Sequence, residues 1–199
     1  MSILIREVRE HELESVLELN NSAGTGILAL DMRQLQFAFD HAAYFRVAEV
    51  AGALVGFLIA FDEGNAYASS NYRWFKERYP AFLYIDRVVV ARKQRRSGLG
   101  RVFYADVTSF AEVRRPVLTC EVFLEPRNDA VLLFHGTYGF QEVGQRVMDE
   151  TGLRVSMLAK ELSSYGWVKE RWIDGPGLPD VPWLAGRDRR HAANSGGGA

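Results

Sequence analysis

The hydrophobic pattern opens with Ile3 to Val8, which reads as a first strand, and then changes to helical spacing. Over residues 9–20 the apolar positions are Leu13, Val16 and Leu17, with charges between them. Asn21 to Gly26 is a loop rich in Ser, Gly and Thr. Asp31 stands where an N-cap belongs, with Gln34 three positions on, and Leu35, Ala38, Phe39 and Ala42 continue one helical face. Tyr44 to Val50 and Leu54 to Phe61 predict two strands joined at Ala51-Gly52-Ala53 as a hairpin. Asp62 to Ala81 carries no clear strand pattern. It is polar and aromatic, with Tyr67, Tyr72, Trp74, Phe75 and Tyr79. A loop of that length inside a compact domain is more often functional than idle.

Phe82 to Val90 is strongly β-prone and predicts a central strand. A basic turn follows, then a helix from about Gly98 to Val113 with Leu99, Val102, Phe103, Val107, Phe110 and Ala111 on one face. Val117 to Leu124 is nearly continuous in apolar residues and predicts another buried strand. Asn128 caps a short helix through about Gly136, and Gln141 to Met148 and Arg154 to Leu162 close the pattern as strands. One domain over residues 1–162 accounts for this run. Beyond Leu162, Gly175-Pro176-Gly177 and Pro179 to Pro182 interrupt the pattern, so residues 163–199 read as an extension whose Gly-rich end is disordered.

Composition narrows the function classes. With 48% hydrophobic and 25% charged residues the 199-residue chain is an ordinary globular protein with one core. A net charge of -1 offers no whole-molecule attraction for nucleic acid. The single cysteine, Cys120, excludes an intramolecular disulfide and a cysteine metal cage, and no metal site is expected. Isolated strand cysteines are usually small buried hydrophobes. No stretch approaches signal-peptide or membrane-spanning length, which predicts a cytoplasmic protein with no membrane partner.

The most informative chemistry lies at Gln94-Arg95-Arg96-Ser97-Gly98-Leu99-Gly100, between the central strand and the amphipathic helix. Glycines in such a turn let the backbone approach a ligand and aim unpaired N–H groups outward. The helix N-terminus adds partial positive charge, which suits a pyrophosphate. Arg92, Lys93, Arg95, Arg96 and Arg101 add cations. A dinucleotide fold needs a third glycine where Phe103 stands, and a P-loop needs Gly-Lys followed by Ser or Thr, which is absent. Coenzyme A remains.

Arg95 to Gly100, read as Arg-x-x-Gly-x-Gly, resembles the acyl-CoA pyrophosphate signature of the GNAT superfamily of N-acyltransferases. The stretch Asn128 to Phe140 is similar to that family's second signature, an Asn that begins a short helix ending in an aromatic pair and Gly-Phe. The order of predicted elements agrees as far as about Leu162. The resemblance implies an α/β (α+β) fold whose mixed, mostly antiparallel sheet splays open between two parallel strands, with helices on both faces. It implies acetyl-CoA as co-substrate, bound by Arg95, Arg96, Ser97, Gly98, Leu99, Gly100 and Arg101, with pantetheine along Val88, Val89 and Val90 and against Asn128 and Phe134. The activity implied is acetyl transfer to a primary amine by direct attack in a ternary complex.

For the general base, Asp86 is the first candidate, because it shares a strand face with Tyr84, Val88 and Val90. A structural ion pair is its competing role, and Glu121 is the second candidate. For the acid, this chain departs from the family: His135 follows Phe134 where a tyrosine is usual, and Tyr138 lies three residues later. His135, Tyr138 or solvent would protonate the thiolate. Asp62, Glu63 and Asp86 are placed to attract a cationic amine, with aromatic rings of the 67–82 stretch flanking it. Packing onto the core is the alternative role for Trp74 and Phe75. Two other functions compete: a non-catalytic acyl-CoA sensor, and an interaction protein whose tail, with Trp167, Trp172 and Trp183, joins a homodimer. Arg187, Arg189, Arg190 and His191 read as a solvated charge run.

Overall fold

A computed structural model describes residues 2–24, 26–125, 128–181 and Leu184. In chain order the elements are β1 (Ile3–Glu7), α1 (Leu13–Asn21), α2 (Met32–His41), β2 (Tyr44–Val50), β3 (Ala53–Asp62), α3 (Ser70–Lys76), β4 (Leu83–Val90), α4 (Leu99–Glu112), β5 (Val117–Phe123), α5 (Asp129–Thr137), β6 (Gln141–Val147), β7 (Arg154–Glu161) and α6 (Tyr165–Val168). The strands form a seven-stranded, mostly antiparallel sheet in the order β1-β2-β3-β4-β5-β7-β6, in which β4 and β5 run parallel. That is the mixed α/β architecture expected.

The chain divides into two compact units. The first comprises, among the described residues, those up to Ala60 and Arg87–Phe103. Here β1, β2 and β3 pair antiparallel, and Ala51 and Gly52 turn the β2–β3 hairpin with φ of 51° and 78°. Two successive positive φ values match the right-handed twist of the flanking strands. The capping box of α2 forms as its sequence predicts: Gln34 N donates to Asp31 Oδ1 at 2.8 Å, and Asp31 N to Gln34 Oε1 at 2.9 Å. Gly56 on β3 lies so close to its neighbours that a Cβ there would meet Val89 O at 2.8 Å and the Phe103 ring at 3.1 Å.

The second unit comprises Phe61–Asp86 and Tyr104–Leu184. Its strand β7 pairs antiparallel with β5 along seven residues and with β6 on its other edge. The parallel ladder between β4 and β5 consists of Leu83↔Leu118 and Tyr84↔Thr119. The segment 62–81, expected as a loop, contains α3. Ser69 caps it by accepting from Tyr72 N at 3.3 Å, and its Tyr72 and Phe75 are buried. Trp74 lies against Gly144, where a Cβ would come within 2.9 Å of the indole, and Arg78 stacks on it at 3.9 Å. After Leu162 the chain forms α6 and a π-helical turn, Lys169–Ile173, with Trp167 63% exposed. Trp183, Arg187, Arg189, Arg190 and His191 lie outside the described residues.

Candidate active site

In the first unit, β4 ends at Val90 and a single 3-10 turn, Arg92–Gln94, leads into the glycine-rich loop. Ser97 closes that turn, its hydroxyl donating to Gln94 O at 2.6 Å. Arg96 takes φ 66°, a left-handed conformation that a side-chain-bearing residue adopts at a cost. Gly98 takes φ 92°, and no atom lies within 4 Å of the position its Cβ would occupy. The first amide to bond along α4 is Val102, which donates to Gly98 O at 3.2 Å. The amides of Leu99, Gly100 and Arg101 therefore have no helical carbonyl and point out of the helix start. Arg92, Lys93, Arg96, Ser97 and Arg101 are exposed around them. Unpaired amides, a helix dipole, open space at Gly98 and a ring of cations fit a pyrophosphate.

Arg95 is used differently from what its place in the motif suggests. Its Nη2 donates to Ala23 O at 2.6 Å, tying the glycine loop to the α1–α2 loop. Arg87 reaches the end of α1 and the same loop, with Nη1 donating to Asn20 Oδ1 at 2.9 Å and to Leu28 O at 3.1 Å. On the last stretch of β4, Val88 and Val90 are half-buried and alternate with buried Val89.

The second unit holds the candidate acid–base groups. Asp86 and Glu121 are both half-buried. Tyr67 donates its hydroxyl to Asp86 Oδ1 at 2.6 Å, and Tyr84 donates to Glu121 Oε1 at 2.9 Å. Tyr84 is fully buried, and burial, followed by the charges of Glu121 and Asp86, pushes its hydroxyl well above the ordinary phenol range. It stays a protonated donor at any physiological pH. The rings of Tyr67, Tyr72, Phe75 and Tyr84 pack around this row, with centroids of Tyr72 and Phe75 at 5.7 and 5.9 Å from Tyr84. The structure thus brings both candidate bases to tyrosine hydroxyls, a feature the strand pattern did not reveal.

Asp62 and Glu63 do not join that row as attractors of an amine. Arg115 binds both, Nη2 at 3.2 Å from Asp62 Oδ2 and Nε at 2.6 Å from Glu63 Oε2, and Asn65 Nδ2 donates to Asp62 Oδ1 at 2.6 Å. An opposite charge in direct contact makes them structural anchors of the segment.

On α5, Asn128 acts as the N-cap, accepting from Val131 N at 3.2 Å. His135 is buried, with Nδ1 2.8 Å from Val131 O and Nε2 2.6 Å from the hydroxyl of buried Tyr104. A carbonyl can only accept, so Nδ1 carries the proton and Nε2 accepts from Tyr104. Burial lowers the imidazole below its ordinary value, against a smaller opposite effect of the Val131 carbonyl. A neutral His135 in this tautomer has no proton at Nε2 to give a thiolate. Tyr138, half-buried, holds its ring tilted beside those of Phe134 and Tyr104, with centroids at 5.0 and 5.2 Å. Cys120 is buried and its thiol is pushed well up by burial, which keeps it protonated and inert.

Among the described residues no group of three or more His, Cys, Asp and Glu is placed to hold a metal ion. No described helix is long and apolar enough to cross a membrane. The sequence matches the family model described as "Acetyltransferase (GNAT) family" over residues 7–140. The chain belongs to the GNAT family. No curated protein matches it in sequence. Solved structures share its fold at low identity. The ribosomal-protein-S18-alanine N-acetyltransferase of Escherichia coli is 15% identical with a TM-score of 0.64, covering 81% of this chain and 95% of that one. Naa50 of Arabidopsis thaliana, in complex with a bisubstrate analogue, is 15% identical with a TM-score of 0.63, covering 81% and 99%. yncA of Salmonella typhimurium, solved with its cofactor acetyl-CoA, is 18% identical with a TM-score of 0.61, covering 82% and 95%. In this GNAT protein His135, which stands where the sequence comparison expects a tyrosine, is a buried residue bonded to Tyr104.

Proposed function

We propose that this GNAT protein is an N-acetyltransferase that moves the acetyl group of acetyl-CoA directly onto a primary amine. The observation that carries the reading is the glycine loop: open space at Gly98, outward amides from Leu99 to Arg101, and exposed Arg92, Lys93, Arg96 and Arg101 around them. The pyrophosphate of acetyl-CoA binds there, and Val88 to Val90 give pantetheine an extended backbone to pair with. The neutral amine nitrogen attacks the thioester carbonyl carbon, and its proton passes to the carboxylate of Asp86, with Glu121 as the alternative, directly or through one water. The C–S bond then breaks, and the departing thiolate takes a proton from Tyr138 or from solvent.

Turnover of a panel of primary amines, followed as thiol released from acetyl-CoA, tests this. Asp86→Asn should lower kcat/KM by about 100-fold or more while leaving acetyl-CoA affinity unchanged. If that loss follows Glu121→Gln instead, Glu121 is the base. A second reading, a sensor that binds acyl-CoA without chemistry, is favoured by the tautomer of His135. Binding of acetyl-CoA with no amine acetylated would establish the sensor.

A further inference from the structure

The segment between β3 and α3, residues 65–69, has no regular secondary structure and reaches the carboxylate row through the side chain of Tyr67. Tyr67 donates to Asp86 Oδ1 at 2.6 Å, and Tyr84, two positions before Asp86 on β4, donates to Glu121 Oε1 at 2.9 Å.

This arrangement is held from below. The Tyr67 ring stacks on Phe61 with centroids 4.1 Å apart and planes 16° off parallel. Tyr72 pins the segment by donating to Asp62 O at 2.7 Å and Asn65 O at 3.1 Å, with Lys76 also on Asn65 O at 3.2 Å. Arg115 anchors Asp62 and Glu63 at its start. Stacking on one side and a hydrogen bond on the other leave the Tyr67 hydroxyl little freedom. A short phenol-to-carboxylate bond orients the carboxylate. The titratable groups facing this row are Tyr72, Tyr84 and Glu121.

We propose that Tyr67 is a positioning residue for acetyl transfer, holding the Asp86 carboxylate aimed to take the proton of a primary amine. The segment 62–69 completes the base from outside the strand that carries it. The inference rests on the acyltransferase reading with Asp86 as base.

The test compares wild type with Tyr67→Phe, and with Tyr79→Phe as control, since the Tyr79 hydroxyl has no hydrogen bond among the described residues. Thiol release from acetyl-CoA is followed between pH 5 and 9, with water and with a panel of primary amines as acceptor, and acetyl-CoA binding is measured by calorimetry. Tyr67→Phe should lower kcat by about tenfold, with KM for the amine and acetyl-CoA affinity each within about twofold of wild type. Tyr79→Phe should match wild type. A Tyr67→Phe profile superimposable on wild type overturns the proposal, as does an equal loss in the control. A loss that falls on KM or on acetyl-CoA affinity as much as on kcat reduces Tyr67 to packing and overturns it too. If Glu121→Gln abolishes transfer while Asp86→Asn leaves it, the base assignment has failed, and this inference with it. Failure of wild type to bind acetyl-CoA instead removes the acyltransferase reading itself.

Discussion

Replacing His135 by leucine isolates what this buried histidine contributes. The Tyr104 hydroxyl, in a residue 1% exposed, donates to His135 Nε2 at 2.6 Å. Leucine fills most of the imidazole volume but leaves that hydroxyl buried without an acceptor, at a cost of about 1–3 kcal/mol. For a chain of this size, a loss of about 2 kcal/mol lowers the melting temperature by about 4–8 °C. Tyr104→Phe orphans Nε2 and should cost a similar amount, whereas the double variant replaces both partners by apolar groups and should cost less than the sum by about 1–2 kcal/mol. Urea unfolding of the four proteins at pH 8 measures this coupling. Additivity to within about 0.5 kcal/mol would refute it. The pH dependence gives a second reading. Burial holds the folded imidazole below its ordinary 6.5, so the unfolded chain binds the proton first. Stability is therefore full above pH 6.5 and falls as pH drops from there through the folded midpoint. His135→Leu should lose that contribution to the fall and keep its acetyl-transfer rate across pH. A variant that folds normally but loses its transfer activity would restore His135 as the acid.

Two further substitutions probe the first unit. Arg95→Ala removes the tie to Ala23 O and should speed hydrogen exchange of amides in the 22–30 loop, while acetyl-CoA affinity changes by about threefold or less; a far larger affinity loss would make Arg95 a phosphate ligand. Gly56→Ala places a methyl 2.8 Å from Val89 O and 3.1 Å from the Phe103 ring, and should destabilise by about 1–3 kcal/mol in urea unfolding; unchanged stability would show that the strands accommodate it.

Elements with local signals were legible in the sequence, and contacts across the fold were not. Asp31 with Gln34, the Ala51-Gly52 turn and the Asn128 cap announce themselves within four residues, and each forms as read. The runs Leu83–Val90 and Leu99–Glu112 carry enough apolar periodicity to fix their type and bounds to within a residue or two. Helix α3 escaped because seven residues, rich in rings that favour either state, span too few turns to show a period. The insertion of β7 between β5 and β6 leaves no local trace. Neither does the pairing of Arg115 with Asp62 and Glu63, more than fifty positions away, nor that of Tyr104 with His135. Position alone marked His135 for chemistry. Its partners, set by packing, give it a different place.

Calorimetric titration with acetyl-CoA tests the central claim most directly, comparing wild type with Gly98→Asp. The substitution puts an anion among outward amides and a side chain on a backbone with φ of 92°. The account predicts one-site binding between submicromolar and tens of micromolar by the wild type, weakening with salt, and none by the variant. An intact protein that binds no acetyl-CoA at low or moderate salt, or a variant that binds as tightly as wild type, would contradict it.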